Sequence, residues 1–158
     1  MKNFLTSLLV LFVIGCQEHL ESNTPAFQGQ KNGEFLWKST TSTAIIDAEG
    51  ALTLTGSDGF GKMTLKVPSV DLGTFVLGVD ATALATYTED GDMFSTNNSG
   101  NASLVYVSDG AISIDEYDVD ARTITASYYF NAYTVNGERG LNFSEGVIYK
   151  LPVTTVTP

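Results

Sequence analysis

Cysteine, histidine and positive charge are scarce in this sequence, and each shortage closes off some chemistry. The one cysteine, Cys16, has no partner for an intrachain disulfide, so a disulfide framework is excluded. The one histidine, His19, follows closely, which leaves the chain from Phe27 onward without thiol or imidazole. Most zinc sites and Ser-His triads are thereby excluded for that body. Lys and Arg number 8 against 18 Asp and Glu, a formal charge of -10. Phosphate contacts need a basic patch, so nucleic acid is not an expected partner, and anionic head groups repel such a chain. Long apolar runs are also lacking. Phe4 to Gly15, interrupted by Thr6 and Ser7, falls short of the roughly 20 residues of a membrane-spanning helix. No G-x-S-x-G elbow, phosphate-cradling loop or dinucleotide fingerprint occurs.

What the chain does have begins with an address. A charged start at Lys2, a short apolar run and a small residue, Gly15, read as a secretory signal over residues 1–15. Val13-Ile14-Gly15-Cys16 resembles the lipobox of bacterial lipoproteins. That resemblance implies cleavage between Gly15 and Cys16 and a diacylglycerol on the Cys16 thiol. Each buried methylene contributes about 0.8 kcal/mol, so two or more acyl chains hold a protein firmly. Cys16 as a nucleophile would need a base and an ordered pocket; it opens instead a polar, unpatterned segment. Gln17, by resemblance to the sorting rule of many Gram-negative lipoproteins, implies the outer membrane. Glu18 and Glu21 form a thin version of the acidic cluster that sends some Bacteroidetes lipoproteins to the cell surface. Residues 16–26 read as lipidated cysteine and tether, whose ten residues after Cys16 reach at most about 33–36 Å.

The body, residues 27–158, reads as one all-β domain: an antiparallel sandwich or barrel-like sandwich of about ten strands. Thr123 to Tyr133 alternates most cleanly, with Ile124, Ala126, Tyr128, Phe130 and Ala132 on a core face. Asp118 to Ala121 turns it back onto AISIDEY, with Ile112 and Ile114 inward. Asn32-Gly33 marks a hairpin. ALTLTG, KMTLKV, GTFVLGV, ASLVYV, GLNF and GVIYKL supply further strands. Ala81 to Thr86 is the one helix candidate, and Glu89 to Asn101 reads as the longest loop.

These parts resemble a family of small Bacteroidetes lipoproteins known only as a domain of unknown function. The resemblance rests on the lipobox, the Asn32-Gly33-Glu34-Phe35-Leu36-Trp37 hairpin and the Leu72-Gly73-Thr74-Phe75 strand entry. It extends to the ISIDEYD…RTITASYYFNA hairpin and the final FSEGVIYKLP strand. It implies location and fold, and carries over no activity and no catalytic residue.

Two groups of residues are candidates for chemistry. Asp115, Glu116, Asp118 and Asp120 cluster at one turn, and Glu89-Asp90-Gly91-Asp92 at another. Calcium takes several oxygens from a loop, which makes Asp115, Asp118 and Asp120 its weak candidates here; EF-hand spacing is absent, and a solvated turn is the default reading. A glycosidase would need two acids across a cleft, about 5 to 10 Å apart. Second, Tyr129, Asn131 and Tyr133 share the face opposite the core set, and Trp37 joins them if its strand is adjacent. Flat rings beside an amide suit a sugar; the same rings suit packing under a second sheet. The expected function is a lipid-anchored, non-enzymatic binding or accessory module of the outer membrane, without cofactor unless calcium, contacting a glycan or an envelope protein. The alternatives are a carbohydrate-binding subunit, a structural envelope protein and a carboxylate-dependent hydrolase.

Overall fold

The computed structural model describes residues 26–101, 103–104 and 106–156, so the signal, Cys16 and the tether up to residue 25 lie outside the described residues. Eleven strands and no helix make up the described chain: β1 (Ala26–Lys31), β2 (Phe35–Lys38), β3 (Thr41–Ile46), β4 (Leu52–Ser57), β5 (Gly61–Val67), β6 (Gly73–Gly78), β7 (Leu84–Glu89), β8 (Asp92–Ser95), β9 (Asp109–Asp118), β10 (Thr123–Tyr133) and β11 (Gly140–Thr155). The expected all-β sandwich or barrel-like architecture is what forms.

One layer runs β2-β1-β11-β10-β9-β6 and the other β3-β4-β5-β7-β8. Two long strands join the layers because each is shared. β10 pairs with β9 from Thr123 to Asn131 and then reaches β8 through Tyr133 and Ser95. β11 pairs with β1 between Phe143 and Tyr149, then runs parallel to β3 from Val153 to Thr155. With the β10–β11 ladder these joints close a ring through β11, β3, β4, β5, β7, β8 and β10.

Alternation builds the core between the layers. Ile124, Ala126, Tyr128, Phe130 and Ala132 of β10 are buried, as are Leu52 and Leu54 of β4 and Met63, Leu65 and Val67 of β5. Phe143 sits at the centre, with ring centroids 5.1 Å from Tyr87, 5.3 Å from Phe130 and 5.9 Å from Trp37. It thus bridges β11, β7, β10 and β2, binding one layer to the other through aromatic contacts of the favourable edge-to-face and tilted kinds.

Several local expectations give way to this architecture. Ala81 to Thr86 forms no helix; Ala83, Ala85 and Tyr87 alternate inward as the entry and body of β7, a period of two that its alanines disguise. The segment read as one long loop contains a hairpin, because Asp90 and Gly91 both take positive φ (52 and 85) and close β7 onto β8. ASLVYV forms no strand among its described residues, Ala102 and Val105 lying outside them. GLNF and GVIYKL are halves of the single strand β11, whose register against β10 slips between Tyr128 and Phe130. Asn32 and Gly33 turn as expected, with φ 54 and 70, but Glu34 adds a third loop residue, so Lys31 faces Phe35.

Candidate functional site

The outward face of β9, β10, β11 and the β1–β2 turn carries a row of polar side chains fixed by the strand register. Asp109 is opposite Asn131, and Asn131 is opposite Asn142. Register alone brings them together, and hydrogen bonds then align them. Asn142 Nδ2 donates to Asn131 Oδ1 at 2.9 Å, and Asn131 Nδ2 donates to Asp109 Oδ1 at 2.7 Å. Asn32 Oδ1 accepts the Asn142 backbone N–H at 3.0 Å, tying in the β1–β2 turn. Asn131 both gives and takes, and the donors of Asn142 and Asn131 point the same way, so these two amide dipoles reinforce each other toward the Asp109 carboxylate. Among the described residues Asn32 Nδ2, Asn142 Oδ1 and Asp109 Oδ2 have valences left for a ligand, and the row orders them before binding.

Tyr129 flanks this row on the same face of β10 and is 56% exposed. Tyr106 flanks the other side, and a groove of about 250 Å³ there is lined by Asn32, Tyr106, Asn131, Tyr133 and Asn142, among others. The loop that presents Tyr106 is anchored rather than free-standing. Asn98 Nδ2 donates to Tyr133 O at 2.8 Å, Tyr133 Oη donates to Tyr106 O at 2.5 Å, and the Ser108 hydroxyl donates to Asn98 O. A row of polar groups between two exposed rings can accept a hydroxylated, ring-shaped ligand, whose apolar faces lie on the tyrosines while its hydroxyls meet the amides.

The four residues expected to make one aromatic face are divided by the fold. Tyr129 and Asn131 are on it. Tyr133 shares their parity but is only 5% exposed, because the loop before β9 covers the end of β10 and its Tyr106 carbonyl accepts a hydrogen bond from the Tyr133 hydroxyl. Burial raises its pKa first, with Asp109 adding to the shift. Trp37 is 4% exposed and belongs to the core, set edge to face against Phe27, Tyr87 and Phe143. Its Nε1 is buried without a hydrogen-bond partner among the described residues. Asn32, Tyr106, Asp109 and Asn142 were not legible as site members. Asp109 and Asn142 enter through cross-strand register, which period-two alternation does not carry, while Asn32 and Tyr106 enter through the placement of a turn and a loop.

The calcium candidates do not converge: among the described residues no group of three or more acidic or imidazole ligands could hold a metal ion. Asp115 is exposed on β9, whereas Asp118 Oδ1 accepts the Ala121 N–H at 2.8 Å and shapes the turn itself. At the other turn Glu89 pairs with Lys31 and Asp92 with Arg139, so two of its acids are already engaged. A second groove, about 420 Å³, is lined by Tyr117, Val119, Arg122, Val153, Thr154 and Thr155. Its side chains form no hydrogen-bonded row among the described residues, so volume there is not matched by preorganised chemistry.

Two further tyrosines are committed to structure. Tyr128 Oη donates to Gln28 O at 3.0 Å across the β1–β11–β10 layer, and burial pushes its pKa well up. Tyr87 Oη donates to Glu89 at 3.2 Å; burial raises its pKa most, with Glu89 and Asp58 next.

Residues 23–152 match the family model described as Domain of unknown function (DUF6252), and the chain belongs to that family. A domain of unknown function, as expected, therefore covers most of the chain. No curated protein and no solved structure matches it.

Proposed function

We propose that this member of the DUF6252 family is a lipid-anchored, non-enzymatic binding module of the outer membrane, and that it presents the Asp109–Asn131–Asn142–Asn32 row to a glycan. Cys16 carries the acyl chains and the tether spaces the sandwich from the bilayer. The observation that carries the reading is the row itself: amides aligned by mutual hydrogen bonds between exposed Tyr129 and Tyr106. Sugars match it because each hydroxyl both donates and accepts, whereas an acidic chain and an Asp109 terminus disfavour anionic ligands.

A glycan array probed with the domain from Asn23, with and without calcium, tests this. Binding to neutral glycans should fall at least tenfold in Asn131→Ala and in Tyr129→Ala. A blank array, or binding that neither substitution changes, rejects the glycan face and leaves a structural envelope role. Cys16→Ser should move the protein from the membrane to the soluble fraction; membrane retention of that variant contradicts the anchor.

A further inference from the structure

Four hairpin tips meet at one pole of the sandwich. They are the turns β1–β2, β4–β5, β7–β8 and β10–β11. Gly61 is opposite Glu89, Lys31 pairs with Glu89, and Arg139 pairs with Asp92, so each tip is tied to a neighbour. Soluble proteins seldom leave large apolar side chains clustered in the open, yet each of these hairpins carries one on its turn or in the first two residues of the strand that follows. Phe60 is 86% exposed and Val135 is 87% exposed. Phe35, Leu36 and Met93 are exposed beside them. Between these apolar groups stand exposed Glu34, Asp90 and Glu138 and the half-buried Asp58. The cations of the tips, Lys31 and Arg139, are neutralised by their partners and lie over the rings of Tyr87 and Phe94. Lys62, one residue into β5, is the nearest other cation on these hairpins.

We infer that this pole is a docking surface for a protein segment with an apolar face rimmed by lysine or arginine. Charge selects the occupant. A second copy would bring Glu34, Asp90 and Glu138 against the same acids, and like charges brought together cost several kcal/mol. An anionic bilayer is repelled for the same reason, and a neutral one would have to desolvate four carboxylates as the tips entered. A basic rim pairs with these acids while Phe60 and Val135 supply the buried centre, the arrangement that concentrates binding energy in a few apolar anchors. Orientation agrees: β1 runs from Ala26 toward the tips, so whatever precedes Ala26 joins the domain away from this pole. The inference does not rest on the glycan face.

Two labelled amphipathic helical peptides with one shared apolar face, and either all-lysine or all-glutamate polar faces, provide the test. Their fluorescence anisotropy is followed with the chain carrying Cys16→Ser at physiological ionic strength, where the screening length is about 8 Å. The lysine peptide should bind, and the double variant Phe60→Ser/Val135→Ser should weaken it at least tenfold. Val119→Ser, at the β9–β10 turn, and Asn131→Ala should leave it unchanged. If the double variant is misfolded by circular dichroism, Leu36→Ser/Met93→Ser replaces it with the same expectation. Equal binding in the double variant overturns the inference, since net charge alone would then hold the peptide. No binding, equal binding of the glutamate peptide, or preferential binding to phosphatidylcholine vesicles overturns it as well.

Discussion

Replacing Phe143 with alanine should cost more than any other single truncation in the core. The side chain is fully buried, and its ring stands within 6 Å of Tyr87, Phe130 and Trp37, which belong to three other strands. Removing a buried phenylalanine typically costs 3–5 kcal/mol through lost transfer energy and the cavity left behind. The upper half of that range applies, because the cavity is walled by rings held on a closed ladder and cannot collapse. Phe143→Leu keeps most of the volume and should cost about 1–1.5 kcal/mol. The difference, roughly 3 kcal/mol, then reports the lost transfer energy and the cavity, whereas the cost of Phe143→Leu itself contains the aromatic contacts. Against a typical total of 5–15 kcal/mol such a loss is large, and it lowers Tm by about 10–15 °C. Urea unfolding followed by Trp37 fluorescence measures it directly. Trp37 is the only tryptophan in the chain and lies 5.9 Å from Phe143. A Phe143→Ala cost below about 1.5 kcal/mol with an unchanged urea slope would refute the claim that this ring binds the two layers.

Other perturbations follow from single contacts. Gly61→Ala would place a Cβ 2.0 Å from the Tyr87 hydroxyl, so the phenol must swing out and release Glu89; a loss of about 2–3 kcal/mol in urea unfolding is expected, and a neutral result contradicts the packing. High pH should destabilise the fold. Tyr87 and Tyr128 have native pKa values raised above the ordinary value of 10, so the unfolded chain loses these protons first. Their stabilisation is complete below pH 10 and is lost as pH rises above it, by about 1.4 kcal/mol per pH unit for each. Tyr128→Phe should flatten that slope by one tyrosine's share in urea titrations between pH 9 and 12, and an unchanged slope argues against its burial. Asn142→Ala removes the middle of the polar row and should halt glycan binding while changing Tm by only a few degrees in calorimetry.

The strands were legible where one face is buried and the other wet. Thr123 to Tyr133 shows its period in the residues themselves, and the hairpins at Asn32-Gly33 and Asp118–Ala121 announce themselves through turn chemistry. Asp90-Gly91 carried the same kind of signal, but the polar residues around it, Ser95 to Asn101 above all, drew the whole segment into a loop. The alanines of ALATYTE concealed a strand because small side chains weaken the contrast between faces. Ring closure was beyond reach: the parallel contact of Val153–Thr155 with β3 joins residues more than 100 positions apart. The site was half visible for a related reason. Tyr129 and Tyr133 share parity, and only the loop anchored by Asn98 and Tyr106 decides that one ring is open and the other covered. Asp109 and Asn142 enter through pairing with Asn131, and pairing is a property of three strands at once.

The most direct test of the binding reading is an amide-detected NMR titration of the domain with a neutral oligosaccharide taken from the array. The account predicts that the largest shifts fall on Asn32, Asp109, Tyr129, Asn131 and Asn142, side-chain amides included, and that Asn131→Ala abolishes them. Shifts centred instead on the hairpin tips around Phe60 and Val135, or on the groove beside Arg122, would contradict it.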